Sequence, residues 1–410
     1  MRLRSLLRTL AVLLGVATLT ATFQHPAYAV GEGEAFDPST CAAFRKNTPS
    51  QAWQVSRLHP ERAWPIATGK GVRIAVIDTG IDTVENPALT RNNRPLITES
   101  HNFAGYDKVK GQGTRVSTDC QHGTQVASLI VGHTDDRATN FSGIAPDATV
   151  ISLRALQQTK AEQPEPLEPT VKAIQKAIEL RVNVINISQQ GSDTPEYRQA
   201  IRSAINAGIV VVAAAGNLGG QNVPPPFPAA YPGVIAVGMS TVNDVAEPRS
   251  QYHRDLQVSV AAPGEQVLLA NPSEQHNQSW QADTGTSYAA PIVSAVVALI
   301  LEKYPDLTPA QVRQRLESSA DPPRAAVPDR QLGYGIVNPY AALTVISGNS
   351  TPGPSPVPTG SAPHPMAAQR DSLGPRLGAL GIGVVAIGLT AVAIAVSMAY
   401  PFGQKRSWKA

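Results

Sequence analysis

The chain has 410 residues, with 34 Lys+Arg against 31 Asp+Glu and a formal net charge of +3. That balance excludes nucleic acid as an expected partner, because a phosphate-binding surface needs a marked basic excess. The length suits one large domain or two average ones, and an apolar fraction of 42% is enough for a sizeable core. The first segment carries Arg2, Arg4 and Arg8, then an apolar run, then Ala27-Tyr28-Ala29. A basic head, a short apolar stretch and a small-x-small site predict a secretory signal peptide over residues 1–29, cleaved after Ala29.

The middle of the chain alternates short apolar runs with helical patterns. Runs of strand length are VRIAVID (72–78), TVISLRAL, VNVINIS (182–188), IVVVAAAGN (209–217), VIAVGMS and DLQVSVAAPG. Continuous apolar strands predict a sheet covered on both faces. Between them, EPTVKAIQKAIEL and PEYRQAIRSAINAG have helical spacing, with Val171, Ile174, Ala177 and Ile178 on one side of the first. Strand and helix in alternation predict a parallel α/β sheet. Farther on, TSYAAPIVSAVVALILEKY is apolar on all sides and reads as a buried helix. In DLTPAQVRQRLESSA, Thr308 as cap, Pro309 at the first position and Gln311 completing a capping box predict a helix start.

Residues 347–373 are rich in Pro, Gly and Ser, a composition that builds no core and reads as a stalk. The transmembrane helix is expected over 374–400. Leu377 to Tyr400 contains no charge, and about 24 residues at ~1.5 Å each reach about 36 Å, enough for a ~30 Å hydrocarbon layer. Lys405, Arg406 and Lys409 follow in the tail, 401–410, while Arg370 and Arg376 precede. The positive-inside bias is small, but it agrees with an exported amino-terminal body and a cytoplasmic tail. The two cysteines, Cys41 and Cys120, are either disulfide-bonded or free thiols. A bond would close a loop of about 80 residues, worth roughly 4–5 kcal/mol in the chain-entropy model.

Two Asp-Thr-Gly triplets occur, beginning at Asp78 and Asp283. They suggest an aspartic protease, where two carboxylates about 3 Å apart share a proton. The second triplet, however, precedes a long helix instead of lying in a β-rich lobe. A different constellation has one residue for each task. Asp78 ends an apolar strand, His122 opens the helical pattern HGTQVASLIV, and Ser287 begins the long apolar helix. A serine hydroxyl needs a base to take its proton, an imidazole does so near neutral pH, and a carboxylate fixes the imidazole tautomer. Asn217, ending AAAGN, supplies an amide donor for a developing oxyanion, with the Ser287 backbone N–H as the second donor.

In this order the motifs resemble those of the subtilisin (S8) family of serine proteases. DTGID, HGTQVAS and GTSYAAP match its three catalytic motifs at Asp78, His122 and Ser287, and AAAGN matches its oxyanion motif at Asn217. SGIAPDATV, VINIS, FPAAYPGVIAVG, AAPG and GYGIVNPYAAL are weaker matches, so the resemblance covers about residues 55 to 345. It implies a three-layer α/β fold with a mainly parallel central sheet, in a peptidase domain over 61–346, to which the uncharged C-terminal segment adds one transmembrane helix. It implies endopeptidase chemistry on polypeptide substrates; no cofactor is expected, and no metal, since no residues stand at metal-ligand spacing. Ser188, Gln189, Gln190 and Gly191, with Ala214 and Gly216, would wall the site for the residue before the cut. The family often has Gly before the histidine; Gln121 stands there instead.

Within the family the chain is most similar to mycosins, the proteases of actinobacterial type VII secretion systems. The likeness rests on the signal peptide, the short extension over residues 30–60, Cys120 two residues before His122, the Pro-rich linker and the terminal span. It implies a Cys41–Cys120 disulfide tying the extension to the protease. It also implies residence at the cell membrane with the catalytic domain outside, and contact with secretion components. An extension this short cannot bury a core alone, so it is expected to stay attached and not to act as a folding prodomain. The competing reading is a scaffold component whose proteolysis is dispensable. His101, His133, His253, His276, Asp135, Asp136 and Asp82 read as surface or structural residues, since none is paired at metal-ligand spacing.

Overall fold

The computed structural model describes residues 51–345, apart from 83–85, 93, 105–120, 135–138, 157–165, 221–222, 273–279 and 325. The expected signal peptide, Cys41, Cys120, the linker and the expected span at 374–400 therefore lie outside the described residues. The chain divides into two units, Met1–Ser350 and Thr351–Ala410, and every described residue belongs to the first.

The centre is a seven-stranded sheet. Its strands are β1 (Arg73–Asp78), β2 (Ile97–Asn102), β3 (Thr149–Arg154), β4 (Val184–Ile187), β5 (Val210–Ala214), β6 (Ile235–Ser240) and β7 (Val258–Pro263). Their order is β2-β3-β1-β4-β5-β6-β7, and every neighbouring pair is parallel. The six apolar runs are strands as expected. β2 is the strand the apolar pattern does not mark: its ITESHN sequence suits a polar sheet edge. A small antiparallel pair, β8 (Val267–Ala270) with β9 (Trp280–Asp283), lies beyond it in sequence.

Alternation along each strand sorts side chains between two apolar layers. Ile74, Val76, Val184, Val210 and Val212 join one cluster, while Ala75, Ile77, Ile185, Ile187, Val211 and Ala213 join the other. The first cluster includes α1 (Trp53–Leu58), α2 (His122–Val131) and α5 (Thr286–Lys303). The second includes α3 (Leu167–Glu179) and α4 (Pro195–Asn206). α6 (Pro309–Ser319) and α7 (Pro339–Thr344) pack beside α5. α6 starts with the expected capping box between Thr308 and Gln311. α5 is long and apolar enough to cross a membrane, but 89% of that stretch is buried inside the fold, so it is a core helix.

α1 belongs to the folded body although it precedes residue 60. Ala52, Val55 and Leu58 are buried. Trp53 Nε1 donates to Glu265 O (3.0 Å), and Gln54 exchanges two hydrogen bonds with the Leu268 backbone (2.8 and 3.3 Å). Arg57 reaches Asp244 (2.7 Å) and Asp321 (3.0 Å).

Candidate active site

Parallel strands bring their carboxyl ends to one edge of the sheet, and the loops there are where open α/β sheets build sites. Asp78 is the last residue of β1, Ser188 follows β4, and Gly216 and Asn217 follow β5. Asp78 continues the alternation of Ile74 and Val76, so it belongs to the face covered by α2 and α5.

His122 opens α2, and its Nδ1 lies 2.8 Å from Asp78 Oδ1. Asp78 is fully buried, and the same oxygen accepts from Thr79 N (2.7 Å). The approach of helix to strand depends on Gly123. A Cβ there would overlap Gly80 O, while its backbone N–H donates to Thr79 Oγ1 (3.0 Å). Gln121, just before the histidine, has φ 89°, a backbone that favours glycine. Its amide holds it there by donating to Asn271 Oδ1 (2.9 Å) and Gln281 Oε1 (2.7 Å). The departure seen in the sequence thus keeps a glycine-like turn by side-chain bonding.

Ser287 is the second residue of α5 and is 8% exposed. Gly285 caps the helix. A Cβ on Gly285 would sit 2.9 Å from Ser287 Oγ and 3.5 Å from Asn217 Nδ2, so hydroxyl and amide nitrogen face one small space. The Asn217 orientation is fixed from behind, because its Oδ1 accepts from Thr286 N (2.8 Å) and Thr286 Oγ1 (3.0 Å). Thr286 N is thereby used, and Tyr288 N donates to Gly285 O (3.1 Å). Between them, Ser287 N–H has no acceptor among the described residues. A free N–H, an amide N–H and the positive end of an 18-residue helix converge beside the Ser287 hydroxyl.

Pro291 lies inside α5 and has no N–H to give the Ser287 carbonyl four residues earlier. Ser188 Oγ donates to that carbonyl instead (2.8 Å). Asn186 Nδ2 donates to Ser188 Oγ (3.0 Å), and Ser294 Oγ to Asn186 Oδ1 (2.9 Å). A buried polar chain thus runs from the middle of α5 back to its first turn.

Tyr288 links the histidine and serine segments. Its ring lies 5.4 Å from that of His122. Its hydroxyl lies 3.0 Å from Gln125 Oε1 and 3.1 Å from Asp283 Oδ2, two acceptors for its one proton. Burial, and then the Asp283 carboxylate, hold the phenol well above its usual range, so it stays a neutral donor. Asp283 bonds Thr284 N (2.7 Å) and Tyr288, and Asp78 bonds His122; the two Asp-Thr-Gly carboxylates do not form the pair an aspartic protease needs.

The other expected residues separate into two groups. Ala214 is buried at the end of β5, and a Cβ on Gly216 would overlap the amide oxygens of Gln190 and Gln251. Gln189 and Gly191 turn toward α3: Gln189 Nε2 donates to Thr170 Oγ1 (2.8 Å), and a Cβ on Gly191 would lie 2.6 Å from Leu167 Cδ2. Thr286, Tyr288, Gln125, Asn186 and Gln251 escape the sequence reading. Thr286 and Tyr288 flank Ser287, a signal that was present; Gln251 lies in a polar loop with none. Among the described residues, no group of three or more His, Cys, Asp or Glu side chains could hold a metal ion.

Comparison with known proteins agrees with this geometry. Residues 69–335 match the subtilase family (peptidase S8). Mycosin-4 of Mycobacterium tuberculosis is 35% identical, over 74% of this chain and 73% of its own. Subtilisin of Bacillus pumilus is 32% identical, over 67% of this chain and 92% of its own. The solved structure of the MycP3 protease from the type VII (ESX-3) secretion system is 28% identical and superposes with a TM-score of 0.60, covering 74% of this chain and 91% of that one. This chain belongs to the subtilase family and is a serine endopeptidase of the mycosin type.

Proposed function

We propose that Asp78, His122 and Ser287 form the catalytic triad of a membrane-anchored endopeptidase that cleaves secreted polypeptides at a type VII secretion system. The observation that carries the triad is the 2.8 Å bond from His122 to a buried carboxylate, with Ser287 at a helix start facing Asn217. In this reading the Ser287 hydroxyl attacks the scissile carbonyl while His122 Nε2 takes its proton. Asp78 holds the opposite ring nitrogen and stabilises the imidazolium. Asn217 Nδ2 and Ser287 N–H receive the negative charge on the carbonyl oxygen. His122 then protonates the leaving amine, and water releases the acyl group from Ser287.

The secretory leader, the stalk and the uncharged segment at 377–400 support export and a single span, with the catalytic unit outside. The relative from a type VII (ESX-3) system supports the secretion role. A Cys41–Cys120 disulfide would tie the extension next to Gln121 and His122. The bonds of Trp53, Gln54 and Arg57 support an extension that stays with the enzyme. Mass spectrometry of the mature chain should find its amino terminus near residue 30; a terminus near residue 60 would reject the retained extension.

The main test is Ser287→Ala with peptidase assay, fluorophosphonate labelling and secretion measured together. Loss of the serine costs about 10⁶ in kcat in subtilisin, a borrowed magnitude. A fall of that order, with labelling abolished, is expected. Turnover within tenfold of wild type would refute the triad. Secretion lost on deletion of the gene but kept with Ser287→Ala would make the protein a scaffold.

A further inference from the structure

Gln251 follows β6 and is fully buried beside the strand end that leads to Asn217. Its backbone N–H donates to Gly216 O (2.9 Å) and its Nε2 to Pro224 O (2.7 Å). The second bond fixes the amide, because the opposite orientation would set two oxygens 2.7 Å apart. Gln251 Oε1 is left buried without a donor among the described residues. Native proteins rarely leave such an acceptor unsatisfied without a reason. This oxygen is aimed at Gly216, since a Cβ on that residue would overlap it. The same Cβ would overlap Gln190 Oε1. Gln190 is exposed, and among the described residues no hydrogen bond holds its side chain. Half a turn about its last bond would offer its amide N–H to Gln251.

Gly216 directly precedes Asn217. When a scissile carbonyl rests on Asn217 Nδ2, the side chain of that same residue leaves the backbone one bond away. The strand end at Gly216 is its nearest wall. We infer that Gln251 Oε1 reads an uncharged hydrogen-bond donor on the residue preceding the cut, and that Gln190 is the movable cover that caps this acceptor between substrates. Asn, Gln, Ser and Thr fit. Ala, Val and Leu would leave the acceptor unpaired, Asp and Glu would set oxygen against oxygen, and Lys or Arg would bury a charge facing a neutral amide. Gln251 acts here by touching substrate; Gln190 acts as a gate.

The inference rests on the endopeptidase reading, so its test separates the two. The full-length protein in detergent is labelled with a fluorophosphonate. A separate, unlabelled portion is assayed on peptides that differ only at the residue before the cut, with the labelled portion giving the concentration of reactive Ser287. Sites built to bond a substrate donor reject analogues lacking it, and kcat/KM should favour Asn, Gln, Ser and Thr over Ala, Val, Asp and Lys by about tenfold or more. Gln251→Met, similar in volume, should lose that preference and gain apolar residues; Gln251→Glu should shift it toward Lys and Arg. Gln190→Gly should keep the donor preference and raise kcat/KM for the longer donors. Should Gln251→Met fail to fold, the wild-type profile and Gln190→Gly decide. A flat wild-type profile, or a donor preference unchanged in Gln251→Met, overturns the inference while a labelled Ser287 leaves the endopeptidase reading standing. An unlabelled wild-type Ser287 overturns both.

Discussion

The two faces of the central sheet are built on different terms. Under α3 and α4 the strands present Ala75, Ile77, Ile185, Ile187 and Val211, and the helices are amphipathic with one buried side each. Under α2 and α5 the same strands end in Asp78, Asn186 and Ser188, and α5 is buried almost throughout. The first face is held mainly by buried apolar area, with Gln189 to Thr170 as a polar bond at its rim. The second gives up apolar surface at the strand ends so that carboxylate, hydroxyl and amide groups can meet. Its polar groups are partnered where they carry the scaffold (Asn186, Ser188, Ser294) and open where they face the reaction space (Ser287 N–H). Stability and chemistry should therefore separate by face.

Asp78→Asn is the largest expected break on the chemical face. An amide cannot hold the histidine tautomer as a carboxylate does, and the corresponding change in the trypsin-like enzymes costs about 10⁴ in kcat. The same fall is expected here, with little change in unfolding midpoint, since Thr79 N keeps an acceptor in the amide oxygen. Ile201→Ala should do the reverse. Ile201 is 1% exposed on α4, against the apolar face. Its truncation should cost about 2–5 kcal/mol, read by urea unfolding. The kcat per labelled Ser287 should stay within about twofold, because Ile201 belongs to the cluster on the sheet face opposite α2 and α5. A per-site kcat reduced a hundredfold by Ile201→Ala would mean the faces are coupled.

The sequence carried most of the fold because both faces obey simple periodicities. The six apolar runs became strands, and the Thr308-Pro309-Gln311 start became a capping box. What escaped it was polar or local. β2 is an edge strand in which Glu99, Ser100 and His101 are partly exposed, where solvent removes the apolar signature. α1 is only six residues long and lies in what composition marks as an extension; its place comes from tertiary bonds of Trp53, Gln54 and Arg57. At the site, Asp78, His122, Ser287 and Asn217 stood out because each sits at an element end beside small residues. Gln251 did not, because a glutamine in a polar loop looks alike whether its amide is solvated or buried, and only the fold distinguishes the two.

The smallest expected effect probes the chain behind the nucleophile. Ser188→Ala removes the donor to the Ser287 carbonyl and the acceptor of Asn186 Nδ2. Leaving two buried groups unsatisfied should cost about 1–3 kcal/mol. A modest loss of kcat should accompany it as the first turn of α5 loosens. Pro291→Ala offers a second route to the same carbonyl, because it restores the N–H that a helix would aim at Ser287 O. If the Ser188 bond exists to replace that missing N–H, then Ser188→Ala should cost less in the Pro291→Ala background, with a coupling of about 1 kcal/mol in a double-mutant cycle. Strictly additive losses in stability and kcat would show that Ser188 and Pro291 act separately. The hydroxyl would then serve the strand end of β4 and not the helix that carries Ser287.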